Sequence, residues 1–274
     1  MGDDRGWVER AVGFVAERSR GGPIDPRLRI DLHFHPDRLI NGEPILAAMA
    51  RAGWYRSQFE TGTSNGGLTA HPGGDRWRWE SRLFGSAYDE APVSARPKYG
   101  ALNFRNRRNG AAPRFGSSFF RLTGECLERT TFCYPDSVFE PVDVGVAARM
   151  SLVELALADD KDLLDDYVEA QVHGNVVFAD DVEALVLDPC FRGSEIAELA
   201  AELPCRVEWH GGFRLGVEQL RARPDYRGEH IVELGISLAR DGFLDARIIG
   251  DAARTGKYDE QELKRVWHYV ARFG

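Results

Sequence analysis

The sequence predicts an α+β fold whose last part is helical. Apolar and polar residues alternate over residues 28–34 and again over residues 167–174, as they do in half-buried strands. From residue 229 onward the apolar residues have helical spacing. Residues 54–125 lack that spacing and are rich in glycine, proline, arginine and aromatic residues, which predicts short strands and functional loops there.

The predicted elements follow one another with recognisable ends. Pro36 ends the first predicted strand. Gly53 is placed to cap the C-terminus of the predicted helix over residues 43–52. The other elements are helices over residues 7–18, 43–52, 144–158, 195–203, 229–239, 241–255 and 260–273, and strands over residues 182–187 and 206–209. We expect one catalytic domain over residues 1–225 with a helical extension over residues 226–274 packed on it, or a single continuous domain.

The composition limits the compartment and the partners. With 274 residues, 43% of them hydrophobic, the chain can bury a large core, and its net charge of −8 argues against non-specific nucleic-acid binding. Its four cysteines form no CxxC pair, and no apolar run resembles a signal peptide or a membrane span. We therefore expect a protein without nucleic-acid or membrane partners that is cytoplasmic, or secreted without a cleavable signal. One basic cluster is a candidate contact for a phosphate or an acidic partner: Arg105, Arg107, Arg108 and Arg114.

One segment concentrates hydroxyl, amide and glycine residues. It contains Thr61, Thr63, Ser64, Asn65 and Gly66. Glycine allows a close backbone approach to a ligand, and the polar side chains suit sugar hydroxyls or an amide. The same residue types are also common in solvated turns, so the segment alone leaves both interpretations open.

The first strand carries a row of polar residues that suggests metal chemistry. Asp31, His33 and His35 recur with period two, and His173 and His210 follow later strands. A metal-dependent hydrolase of the amidohydrolase type uses such ligands at strand ends. However, strands and helices do not alternate through residues 54–140 as a barrel requires, and the histidines can equally be structural.

A second interpretation is ADP-ribosyl transfer from NAD. Breaking the bond between nicotinamide and ribose passes through a cation-like ribosyl group, which a nearby carboxylate stabilises. Glu169 shares one face of a predicted strand with Gln171 and His173, so it can present such a carboxylate. This mechanism requires no metal, and no metal ligands are assigned.

Four phrases of the sequence carry a family resemblance. They are similar to phrases of the CteC-like family of bacterial ADP-ribosyltransferases, and the similarity runs from about residue 25 to beyond residue 215. The phrases are Phe34-His35-Pro36-Asp37-Arg38, Gln58-Phe59-Glu60-Thr61-Gly62-Thr63-Ser64-Asn65-Gly66-Gly67, Lys98-Tyr99-Gly100-Ala101-Leu102-Asn103 and Glu169-Ala170-Gln171-Val172-His173-Gly174.

The resemblance implies a PARP-like fold with a split β-sheet core and an acidic catalytic pair. Glu169 matches the glutamate of that pair. Asp37 is the preferred aspartate, which would orient the cofactor or accept the proton of an incoming hydroxyl, with Asp31 and Asp136 as alternatives. The implied NAD contacts are His33, His35 and Arg38 at the ribose or phosphates, and Thr63, Ser64 and Asn65 on the nicotinamide side, with Thr61 and Gly66 in the same segment. An aromatic residue, Tyr99 or alternatively Tyr88, would stack on nicotinamide.

The resemblance also implies a reaction and an acceptor. The protein would transfer ADP-ribose from NAD to a protein side chain, such as a Thr or Ser hydroxyl, and release nicotinamide, as a bacterial effector or toxin does. Ubiquitin is an acceptor by family analogy alone, because target recognition uses parts outside the shared core. A third interpretation is an inert module that binds NAD or protein without turnover.

Overall fold

The computed structural model describes residues 4–62 and 69–274. Its strands are β1 (Ile30–Phe34), β2 (Leu39–Ile40), β3 (Glu43–Pro44), β4 (Trp54–Tyr55), β5 (Lys98–Leu102), β6 (Ser118–Leu122), β7 (Thr130–Tyr134), β8 (Asp143–Val146), β9 (Val168–Val172), β10 (Val176–Val177), β11 (Val182–Leu187), β12 (Arg206–Trp209), β13 (Arg214–Gly216) and β14 (Phe243–Asp245). Its α-helices are α1 (Asp4–Arg18), α2 (Ile45–Ala52), α3 (Gln58–Thr61), α4 (Asp75–Leu83), α5 (Leu152–Ala158), α6 (Phe178–Asp181), α7 (Glu195–Ala201), α8 (Val217–Arg221), α9 (Glu229–Leu238), α10 (Ala246–Arg254) and α11 (Glu260–Phe273). The fold is mixed α/β, in agreement with the predicted class.

Eight strands form one sheet in the order β12-β11-β6-β1-β5-β9-β7-β8. All neighbours are antiparallel except β11 and β12. The register aligns Cys133, Glu169, Ala101 and Asp31 in a row across β7, β9, β5 and β1. Strands are about 4.8 Å apart, so Asp31 is about 10 Å from Glu169 along this row, with Ala101 between them.

Both faces of the sheet are covered. Ile30, Leu32 and Phe34 of β1 point into the large core, which also contains residues of α2, α7 and α9 to α11. On the other face, α1 and α4 pack with Cys133 and Val144 in a second cluster. The polar residues predicted to share a face of β1 and of β9 therefore lie under a helical cover and not at an open surface.

The C-terminal helices are built into the large core. Trp267 of α11 is 1% exposed and donates its indole N–H to the carbonyl of Pro113 at 2.8 Å. Helix α11 also contacts α9, α10 and β13. Residues of the predicted extension thus share one core with the sheet.

Several predicted elements are confirmed and two are corrected. Strands β11 and β12 and helix α11 have the predicted bounds, and Gly53 caps α2 with a φ of 79°. The predicted helix over residues 144–158 is wrong in its first half, where β8 pairs with β7 and α5 begins only at Leu152. Aliphatic residues in that half suit either period, and the neighbouring strand selects the extended form. Similarly, the helix predicted from residue 241 is preceded by β14.

No helix within the described residues is long and apolar enough to cross a lipid bilayer.

Candidate active site

Glu169 is a buried carboxylate held in one orientation. Strand β9 turns Val168, Ala170 and Val172 toward the core, so Glu169 faces the other side and is 5% exposed. One of its oxygens accepts the backbone N–H of Ser137 at 3.2 Å and the Ser137 hydroxyl at 2.8 Å. The other accepts the side-chain amide of Gln171 at 2.9 Å. These donors hold the Glu169 carboxyl group in a fixed position.

Arg76 supplies a positive charge next to this carboxylate. Its guanidinium lies 3.9 Å from Glu169 Oε1, donates to the Ser137 hydroxyl at 2.9 Å, and lies 4.0 Å above the centre of the Tyr99 ring. Arg76 is only 4% exposed. Because Ser137 accepts from Arg76 and donates to Glu169, the serine joins α4 to β9 through a chain of hydrogen bonds.

Asp136 is the second acid of this site. It accepts the N–H of Val138 at 2.7 Å and the hydroxyl of Tyr167. Burial and then the negative charge of Glu169 raise the pKa of Asp136 to about 6. Two acids whose charges interact, one of them titrating near neutrality, are typical of sites that move protons.

A second buried ion pair lies beside the first. Arg96 donates to Glu80 Oε2 at 2.6 Å, and these side chains are 3% and 0% exposed. The Tyr99 hydroxyl donates to the other Glu80 oxygen at 2.9 Å. Burial raises the pKa of Glu80 to about 6, with the charge of Arg96 opposing the rise. Arg96 also covers the ring of Phe59 at 4.3 Å, which ties α3 to this cluster.

The hydroxyl-rich segment is only partly described. Thr61 ends α3 and donates its hydroxyl to the carbonyl of Ser57 at 3.3 Å. The other predicted NAD contacts of this segment lie outside the described residues: Thr63, Ser64, Asn65 and Gly66. Both flanking helices contact the buried ion pairs: α3 contacts Arg96 through Phe59, and α4 contacts Glu169 through Arg76.

The histidines with both nitrogens engaged are structural. His33 donates from Nδ1 to the carbonyl of Gly116 at 3.1 Å, and its Nε2 accepts the N–H of Ala112 at 3.2 Å. Burial lowers the pKa of His33 to about 3, so it is neutral. This gives His33 a structural role in place of the predicted NAD contact, and leaves neither nitrogen for a metal. His173 and His210 also use both ring nitrogens in hydrogen bonds within the chain. Within the described ranges, no group of three or more acidic, His or Cys side chains is arranged to hold a metal ion.

Asp31 is a buried acid that holds its proton. It is 0% exposed, and one oxygen accepts the N–H of Ala111 at 3.0 Å. Burial raises the pKa of Asp31 to about 8, so the carboxyl is neutral across most of the physiological range. A neutral acid two strands away from Glu169 does not serve as its ionised partner.

We expect Asp31→Asn to remove a pH-dependent loss of stability. The unfolded chain releases this proton above pH 4 and the folded chain keeps it to about pH 8, so wild-type stability falls as pH rises between these values. Asparagine does not titrate. The variant should therefore gain stability relative to wild type from pH 5 to pH 8, by on the order of a few kcal/mol. Urea unfolding at both pH values measures this, and a difference independent of pH would contradict the assignment.

The structure places three predicted site residues away from Glu169: His35, Asp37 and Arg38. They line a cavity of about 190 Å³ against α10 and α11, together with Gly250 and Trp267. Asp37 is 4% exposed, and burial raises its pKa to about 6. None of the described contacts of Asp37 is shared with Glu169. The predicted catalytic pair is therefore not brought into contact, and Asp136 occupies the position beside Glu169.

One aromatic contact links the residues around Glu169 to the residues that lie near Asp37. Phe115 packs edge-on against Tyr167, with ring centres 5.6 Å apart, and Tyr167 donates to Asp136. The preceding residue, Arg114, lies in the cleft with His35 and Arg38. The predicted basic cluster is largely neutralised within the chain: Arg105 and Arg107 pair with Asp166, and Arg114 pairs with Asp165.

Sequence reasoning missed the residues of α4. Arg76, Trp79, Glu80 and Leu83 are its buried positions, with the i, i+3, i+4, i+7 spacing of a helix face. Two of them are charged, so an apolar pattern does not reveal the helix. The helix is recognisable from this spacing if Arg76 and Glu80, which lie one turn apart, are counted among its buried positions.

The family described as a protein of unknown function, DUF3626, matches residues 29–162 and 152–273. The chain belongs to this family. No curated protein matches the chain. The matched DUF3626 segments contain both groups of residues, including Asp37, Arg76, Asp136 and Glu169.

Proposed function

We propose that this protein is an NAD-dependent mono-ADP-ribosyltransferase. The observation that carries the proposal is the Glu169 carboxylate, held by Ser137 and Gln171 beside the acid Asp136. Of the helices that flank the hydroxyl-rich segment, α4 contacts this cluster through Arg76, and α3 contacts the neighbouring Glu80–Arg96 pair through Phe59. These contacts support a sugar-binding role for that segment. In this proposal the sheet around β9 is the ADP-ribosyltransferase-like core implied by the family resemblance.

The reaction breaks the bond between nicotinamide and C1 of the ribose, and forms a bond from that carbon to an acceptor oxygen. Nicotinamide leaves with the bonding electrons. Glu169 stabilises the positive charge that develops on the ribose, a role that acts mainly in the transition state. The acceptor hydroxyl loses its proton, and an acid titrating near neutrality is suited to accept it.

We assign that proton to Asp136 in place of Asp37. Asp136 directly precedes Ser137, and its pKa responds to the charge of Glu169. Tyr99 has a different role from the predicted one. Its hydroxyl donates to Glu80 and its ring lies under Arg76, so in this proposal it positions these two side chains instead of stacking on nicotinamide.

The acceptor in this proposal is a protein hydroxyl, as the resemblance implies, and the protein acts in a cytoplasm, its own or that of a target cell. The metal-dependent hydrolase has no comparable support, because both nitrogens of His33 bind the backbone. The inert binding module is an outcome of the test below.

The test is incubation of the purified protein with labelled NAD and a cell lysate. We expect nicotinamide release and, by mass spectrometry, proteins carrying one ADP-ribose on a defined side chain. Nicotinamide release with free ADP-ribose as the sole product would identify an NAD glycohydrolase. Binding of NAD without release would identify an inert module, and zinc-restored hydrolysis of a non-nucleotide substrate would favour the hydrolase.

We expect Asp136→Asn to lower kcat by about 10²-fold or more, because it removes the proposed base. Wild-type activity should rise with pH through about 6, where Asp136 ionises, and the variant should lose this rise. Asp143→Asn, an exposed change on β8, is the matched control. A larger loss of kcat in Asp37→Asn than in Asp136→Asn would return the role to Asp37.

A further inference from the structure

A basic cleft lies between the end of β1 and the start of α11. Arg38 follows β1, Arg114 lies in the 3₁₀ helix Pro113–Phe115, and Lys264 lies on α11. These three cations line the cleft together with His35 and a single acid, Glu260, which is solvent-exposed. Three separate parts of the chain thus bring positive charges to one place.

Two of these cations are unpaired. Among the described residues, the side chains of Arg38 and Lys264 have no hydrogen-bond or ion-pair partner, and both are half-buried. Arg114 differs, since it pairs with Asp165. Positive charges held close together without partners destabilise one another, and an anion between them relieves that repulsion.

Electrostatics at Lys264 agree with this geometry. Burial, and then the charges of Arg114 and Arg38, lower the pKa of the Lys264 ammonium, and the charge of Asp136 opposes this fall. The N-terminus of α11 does not contribute, because Asp259 already accepts the N–H groups of Gln261 and Glu262. The attraction for an anion therefore comes from the side chains.

We infer that this cleft binds the diphosphate group of a nucleotide ligand, with Lys264 of α11 and Arg38 as its principal contacts. The inference rests on the proposed function, in which the diphosphate is that of NAD. It also assigns a role to the C-terminal helix: α11 completes the ligand site from outside the sheet. Phe115, which leads through Tyr167 to Asp136, connects the cleft with the acidic pair.

The test is calorimetric titration of the full chain with inorganic pyrophosphate. Wild type should bind it, and Lys264→Gln and Arg38→Gln should each weaken binding about tenfold or more, the usual worth of one charge-assisted contact. Lys257→Gln makes the same charge change at an exposed position outside the cleft, and should change binding by less than about twofold. No binding by wild type, or equal weakening by Lys257→Gln and Lys264→Gln, would overturn the inference.

A second measurement separates this inference from the proposed function. If NAD is turned over, Lys264→Gln should raise KM for NAD with little change in kcat, since it removes ground-state binding. An unchanged KM would overturn the assignment to NAD. If pyrophosphate binds through Lys264 but NAD is never cleaved, the cleft stands and the transferase proposal fails.

Discussion

Replacing Glu169 by glutamine is expected to lower the rate of NAD cleavage by at least about 10²-fold while the protein remains folded. The change removes the negative charge that stabilises the ribosyl cation but preserves the size of the side chain. Ser137 can still donate to the remaining carbonyl oxygen. Nicotinamide release measures the rate, and thermal unfolding verifies the fold.

A companion variant separates charge from position. Glu169→Asp keeps the charge but withdraws the carboxylate by one methylene from Ser137 and Gln171, so its activity should also fall. Glu154→Gln on α5, an exposed glutamate, makes the same chemical change as Glu169→Gln and should leave turnover unaltered. Wild-type rates in both Glu169 variants would remove Glu169 from the mechanism.

Breaking the Glu80–Arg96 pair is expected to have the largest effect on stability. Arg96→Ala leaves the Glu80 carboxylate, which is 0% exposed, without its cation, and such a loss costs about 3–5 kcal/mol. Glu80 then retains its proton to higher pH than in wild type. Since the unfolded chain releases that proton near pH 4.5, the loss should be larger at pH 8 than at pH 5.

An exposed ion pair is the control for this change. Arg82 and Glu140 lie 2.5 Å apart with side chains 54% and 71% exposed, and such pairs contribute about 1 kcal/mol or less. Arg82→Ala should therefore change the free energy of unfolding little at either pH. If Arg96→Ala cost no more than Arg82→Ala in urea unfolding, the buried pair would not anchor α4.

The parts of the site that lie on a single strand or a single continuous segment were predictable from the sequence. The alternation over residues 167–174 correctly predicted that Glu169, Gln171 and His173 share a face. The partners of that face were not predictable, since Ser137 and Arg76 approach it from sequence positions 32 and 93 residues away. The preference for Asp37 came from a sequence motif, and a motif gives no information about the distance in space between two carboxylates.

The sequence by itself determined the mixture of helices and strands, the bounds of elements such as β11, β12 and α11, and the polar face of β9, because these depend on the periodicity of neighbouring residues. Only the tertiary structure decided that Asp136 lies beside Glu169, that α4 carries a buried Arg and Glu, and that α11 meets Arg38. The reason is that desolvation and ion pairing depend on distances through space. Strand pairing and helix packing set those distances after the local pattern has been satisfied.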